Sequence, residues 1–267
     1  MDVNERRGAI EDLVIRDGEV QFAQLALQFG VSEMTVRRDI EALSSAGVVR
    51  RISGGAIAHG GTAFEPSYGA RAGRAAGPKA HIATTIVNLL SPGESVILDS
   101  GSTVASVAHA IQGRGLGLIV VTPSLTVASI LADEPDTTVI LTGGLVRPGE
   151  LSLIGPEAER FLSQYNCDTY IAGISGIDPV RGLTEYHPQE AAVKRAAAAV
   201  ARRIIVGADE AKFGRTHLVS VAPISDVEVV VTDASPEHPT IVELREQGVN
   251  ITFAEAESTP PGSSALG

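Results

Sequence analysis

The sequence predicts an α/β protein: a small N-terminal winged helix-turn-helix domain followed by a larger α/β domain with a mostly parallel sheet. Three observations carry this. After Lys79, apolar runs of strand length alternate with helical stretches, the pattern of parallel strands joined by covering helices. Before residue 58, apolar residues recur at helical spacing and end in a short run that turns back at a Gly pair. Between the two, AHGGTAFEPSYGARAGRAAGP shows no periodicity.

The N-terminal unit spans residues 3 to 58. Ile10, Leu13 and Val14 give a first helix one apolar face. Phe22, Leu25, Ala26 and Phe29 fall at i, i+3, i+4 and i+7, an amphipathic second helix that Gly30 breaks. Ser32 is placed to cap a third helix with its hydroxyl, and Glu33 suits that helix's positive end. Val36, Ile40 and Leu43 share one side and are predicted to be buried, and Gly47 suits a left-handed C-terminal residue. VVRRI reads as a strand, with Gly54-Gly55 making the tight turn of a hairpin. Two helices joined by a Gly-containing turn, at about residues 20 to 39, followed by a hairpin describe a winged helix-turn-helix.

Residues 59 to 78 read as a linker, because Gly, Ala and Pro without periodicity bury too little to order a chain. In residues 79 to 254 the expected strands are SVILD, LIVVT, TVILT, TYIAGI, RIIVGAD, VEVVVTD and NITFA. The helical stretches between and around them are HIATTIVNLL, VASVAHAI, LTVASILA, AERFLSQ, EAAVKRAAAAVA and PTIVELREQ. Residues 255 to 267 read as a flexible tail.

Composition narrows the function. The 267 residues are 44% apolar and 20% charged, an ordinary globular balance, with a formal net charge of -11. Such an anionic chain can meet nucleic acid only through a local patch. Cys167 is the sole cysteine, so no internal disulfide forms, and it reads as a small core residue. The six histidines are scattered without metal-ligand spacing, and neither a metal nor a cofactor is expected. The opening MDVNERRGAIEDLV lacks the apolar core of a signal peptide, and LGLIVVTPSLTVASILA reads as strand, turn and helix instead of a membrane span. A soluble, cytoplasmic protein is the expectation.

Against that acidic background, Arg37, Arg38, Arg50 and Arg51 crowd into one segment. Met34, Arg38, Glu41 and Ser45 lie opposite the buried stripe of the third helix, with Thr35 and Arg37 on its flanks. A recognition helix needs this arrangement, an apolar face docked on its own domain and short polar and basic side chains facing the major groove. Arg reads guanine or clamps phosphate, Thr35 or Met34 can touch a thymine methyl, and wing residues such as Arg50 and Arg51 meet the backbone. The competing reading is plain surface ion pairing of Arg37 or Arg38 with Glu41. The DNA-contacting candidates are therefore Ser32, Met34, Thr35, Arg37, Arg38, Arg50 and Arg51.

The stretch VSEMTVRRDIEALSSAGVVRRISGGAI resembles the DNA-binding segment of the DeoR family of bacterial transcription regulators, with Ile40 where Leu is usual and Ser53 where His is common. The resemblance implies DNA contacts from the third helix.

In the larger domain, SVILDSGST reads as strand, turn and helix, aiming backbone N–H groups and the hydroxyls of Ser100, Ser102 and Thr103 at an anion. It lacks the Gly-Lys-Ser/Thr of a Walker A loop and the GxGxxG of a dinucleotide site. Further loops fall at strand ends, where ligands of open α/β sheets sit: Thr122, Gly143-Gly144 with Arg147, and Asp209 with Lys212. With Glu185 and Glu190 these groups would suit a small phosphorylated polyol. An ordinary capped turn and solvated loop charges are the plainer alternatives.

LDSGSTV, VVTPSL, LTGGLVRPGELSLIG, DTYIAGISGID, GLTEY and DEAKFGR resemble the sugar-phosphate-sensing domain of the same family, which is similar in fold to ribose-5-phosphate isomerase. The resemblance implies an effector site at Asp99, Gly101, Ser102, Thr103, Thr122, Gly143, Gly144, Asp209 and Lys212, to which the loop reading adds Arg147. Pro123 stands where the family often has Asn.

The expected protein is a transcriptional repressor of carbohydrate-metabolism genes that binds operator DNA and is released by a phosphorylated sugar. It is not expected to be an enzyme, and no residue is assigned a catalytic role. One small reader makes few base contacts, so a homo-oligomer, dimer or tetramer, is expected on paired half-sites. Two rival readings stay open. One is a sugar-phosphate isomerase-like enzyme, although the chain has no run like the isomerase's GGG-x-AL-x-[RK]EK. The other is a DNA-binding protein whose α/β domain only oligomerises.

Overall fold

The computed structural model describes residues 2–17, 19–45, 47–58, 68–73 and 75–254. Helices α1 (Val3–Asp17), α2 (Phe22–Phe29) and α3 (Glu33–Ser45) pack with strands β1 (Glu19–Gln21), β2 (Val49–Ile52) and β3 (Gly55–Ala58). Ile10, Val14, Phe22, Leu25, Val36, Ile40 and Leu43 close the core as their spacing predicts. Ile40 is 0% exposed, a burial that contributes about 1.5–3 kcal/mol. Ser32 Oγ accepts the Thr35 N–H at 3.1 Å, the expected cap, and Gly30 and Gly47 adopt left-handed φ of 65° and 71°.

The hairpin differs from expectation by one residue. Ser53 and Gly54 make the turn, with Gly54 at φ 87°, and Gly55 already lies in β3. It pairs there with Gln21 of β1, a third strand the periodicity did not announce. A Cβ at Gly55 would sit 1.9 Å from the Val20 carbonyl oxygen, so the strands could not approach. The Gly pair thus serves two purposes, a turn and a close contact.

The expected linker is corrected in part. Residues 59–67 lie outside the described residues, but Tyr68–Gly73 forms α4 and Ala76–Val87 forms α5. The buried Ile82, Ala83, Ile86 and Val87 draw this helix onto the sheet, so its start extends upstream of the apolar stretch that marked it. Packing supplied the order that local composition lacked. The expected tail, 255–267, lies outside the described residues.

All seven expected strands form one parallel sheet. These are β4 (Ser95–Leu98), β5 (Ile119–Thr122), β6 (Thr138–Leu141), β9 (Cys167–Gly173), β12 (Ala201–Ala208), β14 (Val229–Thr232) and β15 (Ile251–Phe253), in the order β15-β14-β12-β9-β4-β5-β6. One face carries Val96, Leu98, Ile171 and Ile205 under α5, α6 (Ser102–Ile111) and α7 (Leu125–Leu131). The other carries Ile97, Tyr170, Ala172, Ile204 and Val206 under α8 (Pro156–Leu162), α9 (Pro188–Ala199) and α10 (Pro239–Glu246). Burial on both faces is why these strands read as unbroken apolar runs.

Two small antiparallel elements went unforeseen: the hairpin β7 (Leu145–Val146) and β8 (Leu153–Ile154), and a sheet of β10 (Gly176–Asp178), β11 (Gly182–Glu185) and β13 (Val219–Ala222). Strands of two to four residues are too short to show a period.

Candidate functional site: a DNA-reading face and a polar cleft

On the N-terminal unit the four arginines divide into two kinds. Arg37 lies 3.6 Å from Glu33 and stacks its guanidinium 4.5 Å from the centroid of the buried Phe22 ring. Arg51 pairs with Glu41 at 2.5 Å. Arg38 and Arg50 are exposed and have no ion pair or side-chain hydrogen bond among the described residues. Met34 is 60% exposed beside them, and the hydroxyls of Ser32 and Thr35 lie 2.9 Å apart at the start of α3. The face therefore offers Arg38, Arg50 and Met34 to a partner without cost, while Arg37 and Arg51 must first leave a neighbour. The Glu41 partner expected for the helix arginines is taken by the wing instead.

Asp39, next to this pair, points inward and is 2% exposed. Arg6 and Arg7 of α1 donate to its two oxygens at 2.6 and 3.0 Å, fixing α3 against α1. A carboxylate with both oxygens so engaged sets the angle at which the reading face is presented.

In the α/β domain, β4 leads through α6 to β5 on one side, while β9 leads through α9 to β12 on the other. Strand order thus reverses between β4 and β9, and ligands of open sheets bind beyond the carboxyl ends at such a point. A cleft lies there. Ser100, Gly101, Ser102 and Thr103 line it after β4, and Gly173 at the end of β9 with Ile174 and Ser175 beyond it. Its cations are Arg71 of α4, Lys194 of α9 and Lys212, and its carboxylates are Glu150, Glu185 and Glu190.

Gly101 precedes α6 at φ 108°, and no side chain caps that helix. The first-turn N–H groups are thus left to an anion, which the helix dipole also favours. Lys194 Nζ donates to Asp99 Oδ2 at 2.5 Å and to the Gly173 carbonyl at 2.8 Å, and lies 3.6 Å from Glu185. Burial opposes its charge, but Asp99, Glu185 and Glu190 outweigh burial and push its pKa above the usual lysine range. Glu190 accepts from Ser152 Oγ at 2.6 Å and sits 2.8 Å from Arg147. Burial would raise the Glu190 pKa, but Lys194, Ser152 and Arg147 hold it below the ordinary carboxylate value.

Comparison with known proteins decides what this arrangement belongs to. The DeoR-like helix-turn-helix domain matches residues 6–61, and the DeoR C terminal sensor domain matches residues 74–234. The chain belongs to the DeoR family of transcription regulators. It is 34% identical to the glycerol-3-phosphate regulon repressor of Escherichia coli K12, over 88% of this chain and 93% of that protein. It is 33% identical to the transcriptional repressor AccR of Agrobacterium fabrum, over 94% and 97%. Among solved structures it is similar to ribose 5-phosphate isomerase A from Neisseria gonorrhoeae, 18% identical over 52% of this chain and 54% of that one, with a TM-score of 0.38.

The effector positions implied for a DeoR regulator fall into two groups here. Gly101, Ser102, Thr103 and Lys212 line the cleft. Thr122, Gly143, Gly144, Arg147 and Asp209 lie outside its lining. Thr122 is fully buried and its hydroxyl accepts the Ser124 N–H at 3.1 Å. Pro123, the DeoR-family departure, is buried too, its carbonyl accepts from Leu153 N, and it lies outside the lining. Gly144, at φ 126°, lets the β7–β8 hairpin close: a Cβ there would lie 2.6 Å from the Ile154 carbonyl oxygen. Asp209 sits 3.8 Å from Lys79, and its backbone carbonyl accepts the Lys212 N–H at 3.0 Å in the turn that presents Lys212.

Asp99 stands behind the lining. Ser100 N, Tyr170 Oη, Gly173 N and Lys194 Nζ all donate to it, leaving little capacity for a sugar hydroxyl. It also holds Lys194 in place. Lys194, Arg71 and Glu150 were missed from the sequence. Lys194 alone left a trace, a lysine one helical turn after Glu190 in the predicted helix EAAVKRAAAAVA. No described helix is long and apolar enough to cross a membrane.

Proposed function

We propose that this DeoR-family regulator is a repressor of carbohydrate-metabolism genes that leaves its operator when a phosphorylated sugar occupies the cleft. The observation that carries the reading is the pairing of an uncapped α6 N-terminus with Arg71, Lys194 and Lys212 in one pocket. Three cations and free N–H groups suit a phosphate dianion, and Glu185, Glu190 and the Ser102 and Thr103 hydroxyls suit a polyol. The named relatives repress a glycerol-3-phosphate regulon in one case, which fits that ligand class.

In this reading residues 3–58 hold operator DNA through Met34, Thr35, Arg37 and Arg38 of α3 and Arg50 and Arg51 of the wing, with Ser32 at the start of α3. The segment from Tyr68 to residue 254 senses and carries the subunit contacts. A homo-oligomer, dimer or tetramer, would set two readers on paired half-sites, because a single reader gives too few base contacts, each worth about 1–3 kcal/mol. The protein would act in the cytoplasm on nucleoid DNA.

An isomerase reading fares worse. A general base must be free to take a proton, whereas Glu190 is held as an anion by three partners, and Glu185 accepts from Ser175 Oγ and from Tyr186 N and lies 3.6 Å from the Lys194 ammonium. A panel of phosphorylated sugars tested by thermal shift, with hits carried into an operator-release assay, tests the proposal. Stabilisation by one compound and release of DNA by the same compound are expected. Stabilisation without release would leave only an oligomerising or catalytic domain.

A further inference from the structure

Arg71 has no counterpart among the residues expected to hold the effector, yet it reaches the cleft from α4, outside the sheet. Its guanidinium pairs with Glu150, which lies between β7 and β8, and both side chains are largely buried at 16% and 9% exposure. Its carbonyl accepts from Lys79 Nζ. The ring of Tyr68, one turn earlier, has its centroid 5.9 Å from the Arg71 guanidinium. One ion pair thus joins α4 to the hairpin across the mouth of the cleft. Helix α4 also follows the wing strand β3 after only residues 59–67.

Within that cleft Glu150 is the wrong charge for an anionic ligand, and Arg71 is the right one. A phosphate seated on the α6 N-terminus would repel the first and attract the second. We propose that Arg71 is a phosphate ligand held in reserve, and that an entering phosphate replaces Glu150 as its partner. The exchange moves the anchor of α4 from the hairpin to the ligand, so α4 reports occupancy toward the reader. A bidentate guanidinium suits both partners, as carboxylate and phosphate present similar oxygen pairs. The inference rests on the proposed phosphate-sensing role of the cleft.

The test uses the full chain and inorganic phosphate as the probe, titrated calorimetrically. Glu150→Gln removes the competitor and is expected to tighten phosphate binding about tenfold. Arg71→Gln removes the ligand and is expected to weaken it about tenfold. Hydrogen exchange of residues 68–73 should change on adding phosphate to the parent chain and stay unchanged in Arg71→Gln. Should Glu150→Gln not fold, Arg71→Lys gives the second arm: it keeps the charge, loses the fork, and is expected to bind between parent and Arg71→Gln. Phosphate bound equally by all variants, or weakened by both substitutions, means the pair is only a structural bridge. If the parent chain binds neither phosphate nor any phosphorylated sugar, the sensing role itself fails, and the exchange fails with it.

Discussion

Lys194 Nζ and Asp99 Oδ2 lie 2.5 Å apart across 95 residues of sequence, at the floor of the cleft. The lysine is fully enclosed, with Glu185 and Glu190 as further neighbours. Removing it leaves Asp99 and Glu185 without their shared counter-charge, while Glu190 keeps only Arg147 at 2.8 Å. Lys194→Met is therefore expected to destabilise the protein by about 3–5 kcal/mol. Urea unfolding checks this, and a loss below about 1 kcal/mol would mean that water already screens the cluster.

Arg38 projects from α3 with no ion pair or side-chain hydrogen bond among the described residues, while Arg51 is tied to Glu41. Arg38→Ala should weaken operator binding by about 1–3 kcal/mol, or roughly 5- to 150-fold, and leave the melting curve unchanged. Fluorescence anisotropy with a selected operator gives the number. Arg51→Ala is expected to cost less, since its pair with Glu41 offsets part of any phosphate contact. Equal, undiminished affinity in both variants would return the arginines to ordinary surface charge.

Gly144 separates a structural glycine from a ligand-binding one. With φ at 126° and the Ile154 carbonyl where a Cβ would stand, Gly144→Ala is expected to cost at least about 2 kcal/mol with no ligand present. Denaturation of the unliganded protein reads this directly. A variant of full stability but lost effector response would place Gly144 against the ligand after all.

His217 lies against Tyr186, ring centroids 3.8 Å apart, and burial pushes its pKa down to about 4, with Glu185 opposing and Lys212 assisting. The unfolded chain takes up this proton near pH 6.5, whereas the native protein does not until about pH 4. Stability should consequently fall as pH drops through that window. His187, shifted down by burial and then by Arg147, acts in the same direction. Chemical denaturation between pH 7 and pH 5 should show a shallower loss in His217→Phe than in the parent, and shallower still in the double His187→Phe, His217→Phe variant. Parallel curves for all three would mean other groups set the acid limb.

The reader and the sheet were legible because their signals are local. Phe22, Leu25 and Phe29 recur within one helix, and runs such as RIIVGAD are apolar throughout because both faces are covered. The cleft was legible in part: Gly101, Ser102 and Thr103 at the start of α6, Lys212 after β12, and the carboxylates Glu185 and Glu190 beyond β9. Helix α4 and the strands β7, β8, β10, β11 and β13 were hidden by their shortness, and the Gly-rich composition before Lys79 pointed away from helix. Thr122 and Gly144 lie outside the cleft's lining, one bonded to its own turn and the other admitting a hairpin, and no local pattern shows either contact.

By itself the sequence determined the order of elements, the apolar faces and the exposed arginine pairs, since these follow from periods of two and 3.6 residues and from local turn chemistry. Which charges meet was decided only by the tertiary structure. Asp99 joins Lys194, Arg71 joins Glu150, and Asp39 turns inward to Arg6, over separations of 95, 79 and 33 residues. No local pattern encodes such pairs. They form because folding brings distant chain segments into one enclosed space, where a buried charge is stable only beside its opposite.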